Sequence, residues 1–183
     1  MGHPDAELMS RWQRGDAAAV TALVDRWQQP VARFLLRVGG RPDRVPDLCQ
    51  EVFLRVLRAA PRYRETGRFS TWLFQIALNV ARDDLRRGRR APGPLPDLED
   101  TGASENTCDR RELARAVAVA VAELPPPHRE VLALRHDQGM TFEEMAQVLS
   151  TPASTLKSRF AVALHRLRAR LAELGWDGEE NLP

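Results

Sequence analysis

The chain has 183 residues, 43% of them hydrophobic, enough for one ordinary core or two small ones. Two widely separated cysteines, Cys49 and Cys108, exclude a disulfide framework and a CxxC metal knuckle, and no apolar run reaches the roughly 20 residues that a membrane span needs. The formal net charge of +2 hides a strong segregation of charge along the sequence.

No stretch alternates apolar and polar residues, whereas several repeat apolar residues at helical spacing, which predicts an all-α protein. A first helix is expected over about Asp5 to Gln13, ended at Gly15-Asp16. The second carries Val20, Leu23, Val24, Trp27, Val31, Phe34, Leu35 and Val38 on one stripe and ends at Gly39-Gly40. Pro30 lies inside that stripe and should bend or interrupt it. A third helix, about Val45 to Ala59, buries Leu48, Val52, Phe53, Val56 and Leu57 and is stopped by Pro61. After the loop Arg62 to Arg68, Ser70 or a neighbour caps a long helix reaching about Arg90, with Trp72, Leu73, Ile76, Ala77, Val80 and Leu85 on its apolar side. These elements make a first domain, residues 1–90.

Residues 91–108, with Pro92, Gly93, Pro94, Pro96, Gly102 and several acids, cannot build a core and read as a flexible Pro/Gly/acidic linker. A second domain, residues 109–175, opens on an amphipathic helix from Asp109 to Leu124. Pro126 or Pro127 fits the first turn of the next helix, His128 to Arg135, where an amide has no intrahelical partner to lose. Thr141 to Glu144 has the form of a capping box ahead of Met145, Ala146, Val148 and Leu149. Thr151-Pro152 reads as cap and first-turn proline of a last helix to about Leu174, with Leu156, Phe160, Ala163, Leu164, Leu167 and Leu171 inward. An acidic tail, residues 176–183, closes the chain.

Between Arg55 and Arg90, Arg55, Arg58, Arg62, Arg64, Arg68, Arg82, Arg86, Arg87, Arg89 and Arg90 face only Glu65, Asp83 and Asp84. From Ser154 to Leu171, Lys157, Arg159, Arg166, Arg168 and Arg170 face no acid. Two basic surfaces flanking an acidic stretch point to a polyanion touched in two places. The short helix, tight turn and basic last helix form a helix-turn-helix, whose second helix enters the major groove with Ser154, Thr155, Lys157, Ser158 and Arg159 at its leading end. Lys157 is the only lysine. No nucleophile with a base, paired carboxylates or phosphate-cradling glycine loop is visible, so neither an enzyme nor a small-molecule substrate is expected. His3, His128, His136 and His165 lack ligand spacing, so neither metal nor cofactor is expected. With no leader or span in view, the expected setting is cytoplasmic, without membrane insertion.

Read together, the two halves resemble the extracytoplasmic-function (ECF) sigma factors of bacterial RNA polymerase. The run Asp47-Leu48-Cys49-Gln50-Glu51-Val52-Phe53-Leu54-Arg55-Val56, followed by Phe69-Ser70-Thr71-Trp72 through Asn79-Val80-Ala81-Arg82-Asp83, is similar to the promoter-melting domain. Leu124-Pro125-Pro126-Pro127-His128-Arg129-Glu130-Val131-Leu132, with Thr141-Phe142-Glu143-Glu144-Met145-Ala146 and Thr155-Leu156-Lys157-Ser158-Arg159, is similar to the C-terminal domain. The turn Ser150-Thr151-Pro152-Ala153 lacks the glycine often seen there.

The resemblance implies that Asp47, Gln50, Glu51 and Arg55 grip the clamp helices of the polymerase's largest subunit. It implies that Tyr63, Arg64 and Arg68 capture a flipped base of the minus-ten non-template strand, beside Asn79, Arg82 and Arg86. The helix-turn-helix would bind the minus-35 duplex, the rest of its domain would dock on the polymerase flap, and an anti-sigma factor would occlude these surfaces. Trp72 reads as core rather than stacking platform. Two alternatives stay open: a sigma-like decoy or adaptor that binds a regulator, and a helix-turn-helix transcription regulator.

Overall fold

The computed structural model describes residues 4–39, 41–64, 67–87 and 107–176, with side chains from residue 111 onward in the last of these segments. Every regular element among them is helical. The linker expected over 91–108 lies outside the described residues except for the first turn of the fifth helix, as does the acidic tail beyond residue 176.

Helix α1 (Pro4–Gln13) packs across α2 (Ala17–Val38), whose first turn is capped by the Asp16 carboxylate accepting from the Ala18 amide at 3.0 Å. The bend or break expected at Pro30 is not needed: α2 runs through it as one helix. Val31, Phe34 and Leu35, all fully buried, hold that turn in the core, so tertiary packing offsets the missing amide. α3 spans Val45–Ala59, the predicted range, and a short 3-10 turn containing Pro61 leads to α4 (Phe69–Arg86). The expected Ser70 cap is absent; Arg68 occupies the cap position without a side-chain bond, and Phe69, buried against Trp27 and Trp72, fixes the entry of the helix instead. Leu57, expected inside, is 38% exposed.

The second group comprises α5 (Thr107–Ala122), α6 (Pro126–Leu132), α7 (Phe142–Leu149) and α8 (Ala153–Glu173). α6 continues into a π-helical turn, Ala133–Asp137. The predicted capping box is formed: Thr141 Oγ1 accepts from the Glu144 amide at 3.2 Å while the Thr141 amide donates to Glu144 Oε2 at 2.8 Å. Ser150 takes the left-handed conformation (φ 50°) that a glycine would adopt freely. At α8 the cap residue is Pro152, not Thr151, whose hydroxyl turns back to donate to the Leu149 carbonyl at 3.1 Å.

The two groups pack against each other. One cluster of buried apolar residues runs from Phe34, Leu35, Phe69, Phe74 and Leu78 into Leu134, Met140, Met145, Val148 and Leu156. α4 lies against α7, and α2 against α6 and the π-turn.

Candidate nucleic-acid interface

Residues 72, 75, 79, 82 and 86 recur at helical spacing and form one stripe of α4. Gln75, Asn79 and Arg86 are exposed, while Trp72 and Arg82 are half-buried. The loop before α4 is anchored by Gln13, whose amide nitrogen donates to the Ala60 and Tyr63 carbonyls at 2.8 and 3.1 Å. Arg64, Gly67 and Arg68 project beside it, exposed. Together they wall a cavity of about 270 Å³ lined by Arg62, Tyr63, Arg64, Gly67, Arg68, Thr71, Trp72, Gln75 and Gln147.

Within that wall the aromatic residues divide differently from expectation. Tyr63 is buried, its ring centroid 4.8 Å from Trp72 and 6.1 Å from Phe69, so little of its surface is open although it lines the cavity. Trp72, expected as core, is half-buried and lines the cavity.

Of the residues expected on the polymerase-facing surface, Asp47 and Gln50 are exposed on α3. Glu51 and Arg55 join an ion-pair chain that continues to the neighbouring helix: Arg55 bonds Glu51 at 2.7 Å and Asp83 at 3.1 Å, and Asp83 accepts from Arg86 at 2.6 Å. The bonds from Arg86 and then Arg55 hold the Asp83 carboxyl below its ordinary range. Leu54 and Leu57 lie exposed on the same helix. Sequence reading missed Leu54, although its place three residues after Glu51 sets it on the polar side.

At the helix-turn-helix, Leu156 and Ala163 are fully buried and turn Ser154, Lys157 and Ser158 to solvent, with Thr155 and Arg159 half-buried. Ser158 donates its hydroxyl to the Ser154 carbonyl at 3.1 Å, leaving its lone pairs outward. Two residues outside the expected set join this end. Phe142, at the start of α7, packs edge to face on Phe160, and the charged groups of Arg135 and Lys157 lie 5.3 and 5.8 Å from its ring centroid. Arg135 also donates to the Met140 carbonyl at 2.8 Å. A basic residue at the end of α6 and an aromatic after the cap were the available sequence signals.

Ion pairs cross between the two helical groups. Arg82 donates from Nε and Nη2 to both oxygens of Glu130 at 3.0 and 2.8 Å. Arg68 lies 3.3 Å from Glu144, and Arg37 lies 2.7 Å from Asp137. Two residues expected at the minus-ten strand, Arg68 and Arg82, are therefore turned toward carboxylates of the second group, and Asn79, Arg64 and Arg86 are not in these pairs.

Residues 23–91 match the Sigma-70 region 2 family and residues 120–169 match Sigma-70, region 4. The chain is 32% identical to the ECF RNA polymerase sigma-E factor of Haemophilus influenzae, over 93% of this chain and 96% of that protein. It is 34% identical to the protein of the same name in Escherichia coli K12, over 85% and 87%. Among solved structures, CnrH in complex with the cytosolic domain of CnrY is 30% identical, with a TM-score of 0.72 over 92% of this chain and 97% of that one.

Proposed function

The chain belongs to the ECF family of RNA polymerase sigma factors, and from that premise we propose how its own residues direct polymerase to promoters. As a sigma factor it binds core polymerase and sets promoter-specific initiation. We assign the first domain, residues 1–90, to core binding and minus-ten melting, and the second, 109–175, to the minus-35 duplex.

On this reading Asp47 and Gln50, with Leu54 and Leu57 beside them, meet the polymerase clamp helices. The apolar pair contributes area, the polar pair register. Glu51 and Arg55 act indirectly, tying α3 to α4 through Asp83. Ser154, Thr155, Lys157, Ser158 and Arg159 read the upstream duplex from the leading end of α8.

Melting follows from differential binding. Unpairing a base costs a few kcal/mol, and capture of the unstacked base offsets it. The cavity beside Trp72 supplies a ring wall, Gln75 and Asn79 supply amides that can bond a base edge, and Arg64, Arg68, Arg82 and Arg86 hold the phosphates. None of these steps makes or breaks a covalent bond in the protein, which we place in the cytoplasm with the polymerase. The precedent of CnrH, solved with the cytosolic domain of CnrY, supports a protein partner here too, and we assign it the anti-sigma role of covering these faces.

The observation that carries the proposal is the exposed amide and arginine stripe of α4, together with a recognition helix whose leading end is basic and open. Run-off transcription from a promoter library with core enzyme tests it, comparing the intact chain with Asn79→Ala and with Lys157→Ala/Arg159→Ala. Selective initiation that both variants weaken is the expected result. Core binding without initiation would support the decoy reading, and no core binding the independent regulator.

A further inference from the structure

We propose that Gln13 is a positioning residue for base capture: from the end of α1 its side-chain amide sets the wall of the cavity beside Trp72 and so governs how strongly an unstacked base is held. The inference rests on the assignment of that cavity to the minus-ten strand.

Among the described residues, none of α1 lines the cavity, yet the helix is tied down at both ends. At its start the Asp5 carboxylate, 1% exposed, accepts from Arg26 on α2 at 2.6 Å. At its close Arg11 donates from Nε and Nη2 to Asp16 Oδ2 at 2.9 and 2.7 Å, and Asp16 in turn caps α2. Fully buried Met9 holds the face between them in the core. Gln13, the last residue of α1, therefore reaches out from a fixed base.

Its amide meets a turn 47 and 50 positions further along the chain. The nitrogen carries two hydrogens, one for the Ala60 carbonyl at 2.8 Å and one for the Tyr63 carbonyl at 3.1 Å. The Ala60 carbonyl also accepts from the Tyr63 amide at 3.0 Å, which closes the 3-10 turn. Gln13 thus spans the turn and fixes the peptide that leaves Tyr63 in extended conformation (φ -60°, ψ 133°). That peptide sets the direction of Arg64 and the seat of the Tyr63 ring against Trp72, and all three residues line the cavity. Only a donor suits this place, because both groups facing the amide are carbonyl oxygens.

A wall held in place before the base arrives needs no ordering when it arrives. Without the tie the turn samples other conformations, and capture must restore one of them, which weakens binding. The loss falls on capture alone, since the recognition helix α8 and the exposed polar side of α3 belong to other elements.

The test uses holoenzyme assembled with the full chain and a fluorescent strand carrying the minus-ten non-template sequence of a promoter active in the run-off assay. Abasic substitution at each position in turn, read with wild type, identifies the captured base as the one whose removal costs most affinity. Gln13→Glu keeps the shape of the side chain and puts acceptors where the donors stood; Gln13→Ala removes both. Each variant is expected to bind the intact strand about tenfold more weakly. Binding of the strand that is abasic at the captured position should be unchanged, as should binding of core polymerase and of the minus-35 duplex. Equal losses on the intact and abasic strands in variants that still bind core, or full affinity for the intact strand, would overturn the proposal. A wild type indifferent to every abasic position would overturn the capture assignment and this proposal with it. Failure of the sigma reading would show separately, as a wild-type chain that does not support initiation with core enzyme.

Discussion

The ammonium of Lys157 lies 5.8 Å from the centroid of the Phe142 ring, and the guanidinium of Arg135 approaches the same centroid to 5.3 Å. Neither cation forms an ion pair among the described residues, so one aromatic ring steadies two positive groups beside the recognition helix. Exposed contacts of this kind contribute about 0.5–1 kcal/mol each. Phe142→Leu is therefore expected to weaken binding of the upstream duplex by polymerase holoenzyme about fivefold and to flatten its salt dependence. Phe142→Tyr, which keeps the ring, should preserve both. Anisotropy titrations across a salt series read the difference, and equal salt slopes for the leucine variant and wild type would count against a positioning role.

Gly39 caps α2 at φ +121°, where a Cβ is strained, and faces the Arg129 guanidinium. Gly39→Ala should lose about 1–3 kcal/mol in urea unfolding. Gly175, at φ +85° with nothing within 4 Å of its Cβ position and past the last helix, is the matched control. A smaller loss is expected there, because no neighbouring atom constrains that turn.

Glu144 serves two partners, accepting from the Thr141 amide and lying 3.3 Å from Arg68, and substitution separates them. Thr141→Ala removes the cap hydroxyl and should cost about 1 kcal/mol. Glu144→Gln keeps a competent capping-box acceptor and weakens only the exposed pair with Arg68, so its effect on the thermal midpoint should be the smaller of the two. The reverse order would place the main contribution of Glu144 in the contact between domains.

How far these features were legible depends on how local their causes are. The bounds of α3, the Thr141 capping box and the amphipathic stripe of α4 follow from residues within a few positions of one another, and the sequence states them. Pro30, Ser70 and Thr151 were misread where tertiary packing overrides a local preference: buried Phe34 and Leu35 keep α2 intact, buried Phe69 sets the start of α4, and Thr151 finds a carbonyl instead of an amide. Arg82 and Glu130 stand 48 positions apart, and no periodicity joins them. That pairing, and with it the half-burial of Arg82, emerges only once the second group, which carries Glu130 on α6, packs against α4. Tyr63 illustrates the limit at the site: its residue type suits base stacking, yet the neighbouring rings of Phe69 and Trp72 use most of its surface for packing.

His128 carries the last prediction. Its Nδ1 is buried without a hydrogen-bond partner. Burial, then the nearby charges of Arg166 and Arg159, push its pKa below the ordinary 6.5. Because the folded-state value lies below the unfolded one, the unfolded chain binds the proton more readily. The stabilising contribution is thus complete above about pH 6.5 and is lost as the pH falls below it. His128→Gln should remove that sensitivity, so that between pH 7.5 and pH 5.5, roughly one unit either side of the imidazole value, wild type loses more thermal stability than the variant does. Where the fold survives at the lower pH, a protonated His128 adds positive charge beside Arg159, and duplex affinity should move the opposite way, rising in wild type relative to His128→Gln. Parallel pH profiles for the two proteins in both measurements would show that the imidazole does not titrate against these arginines.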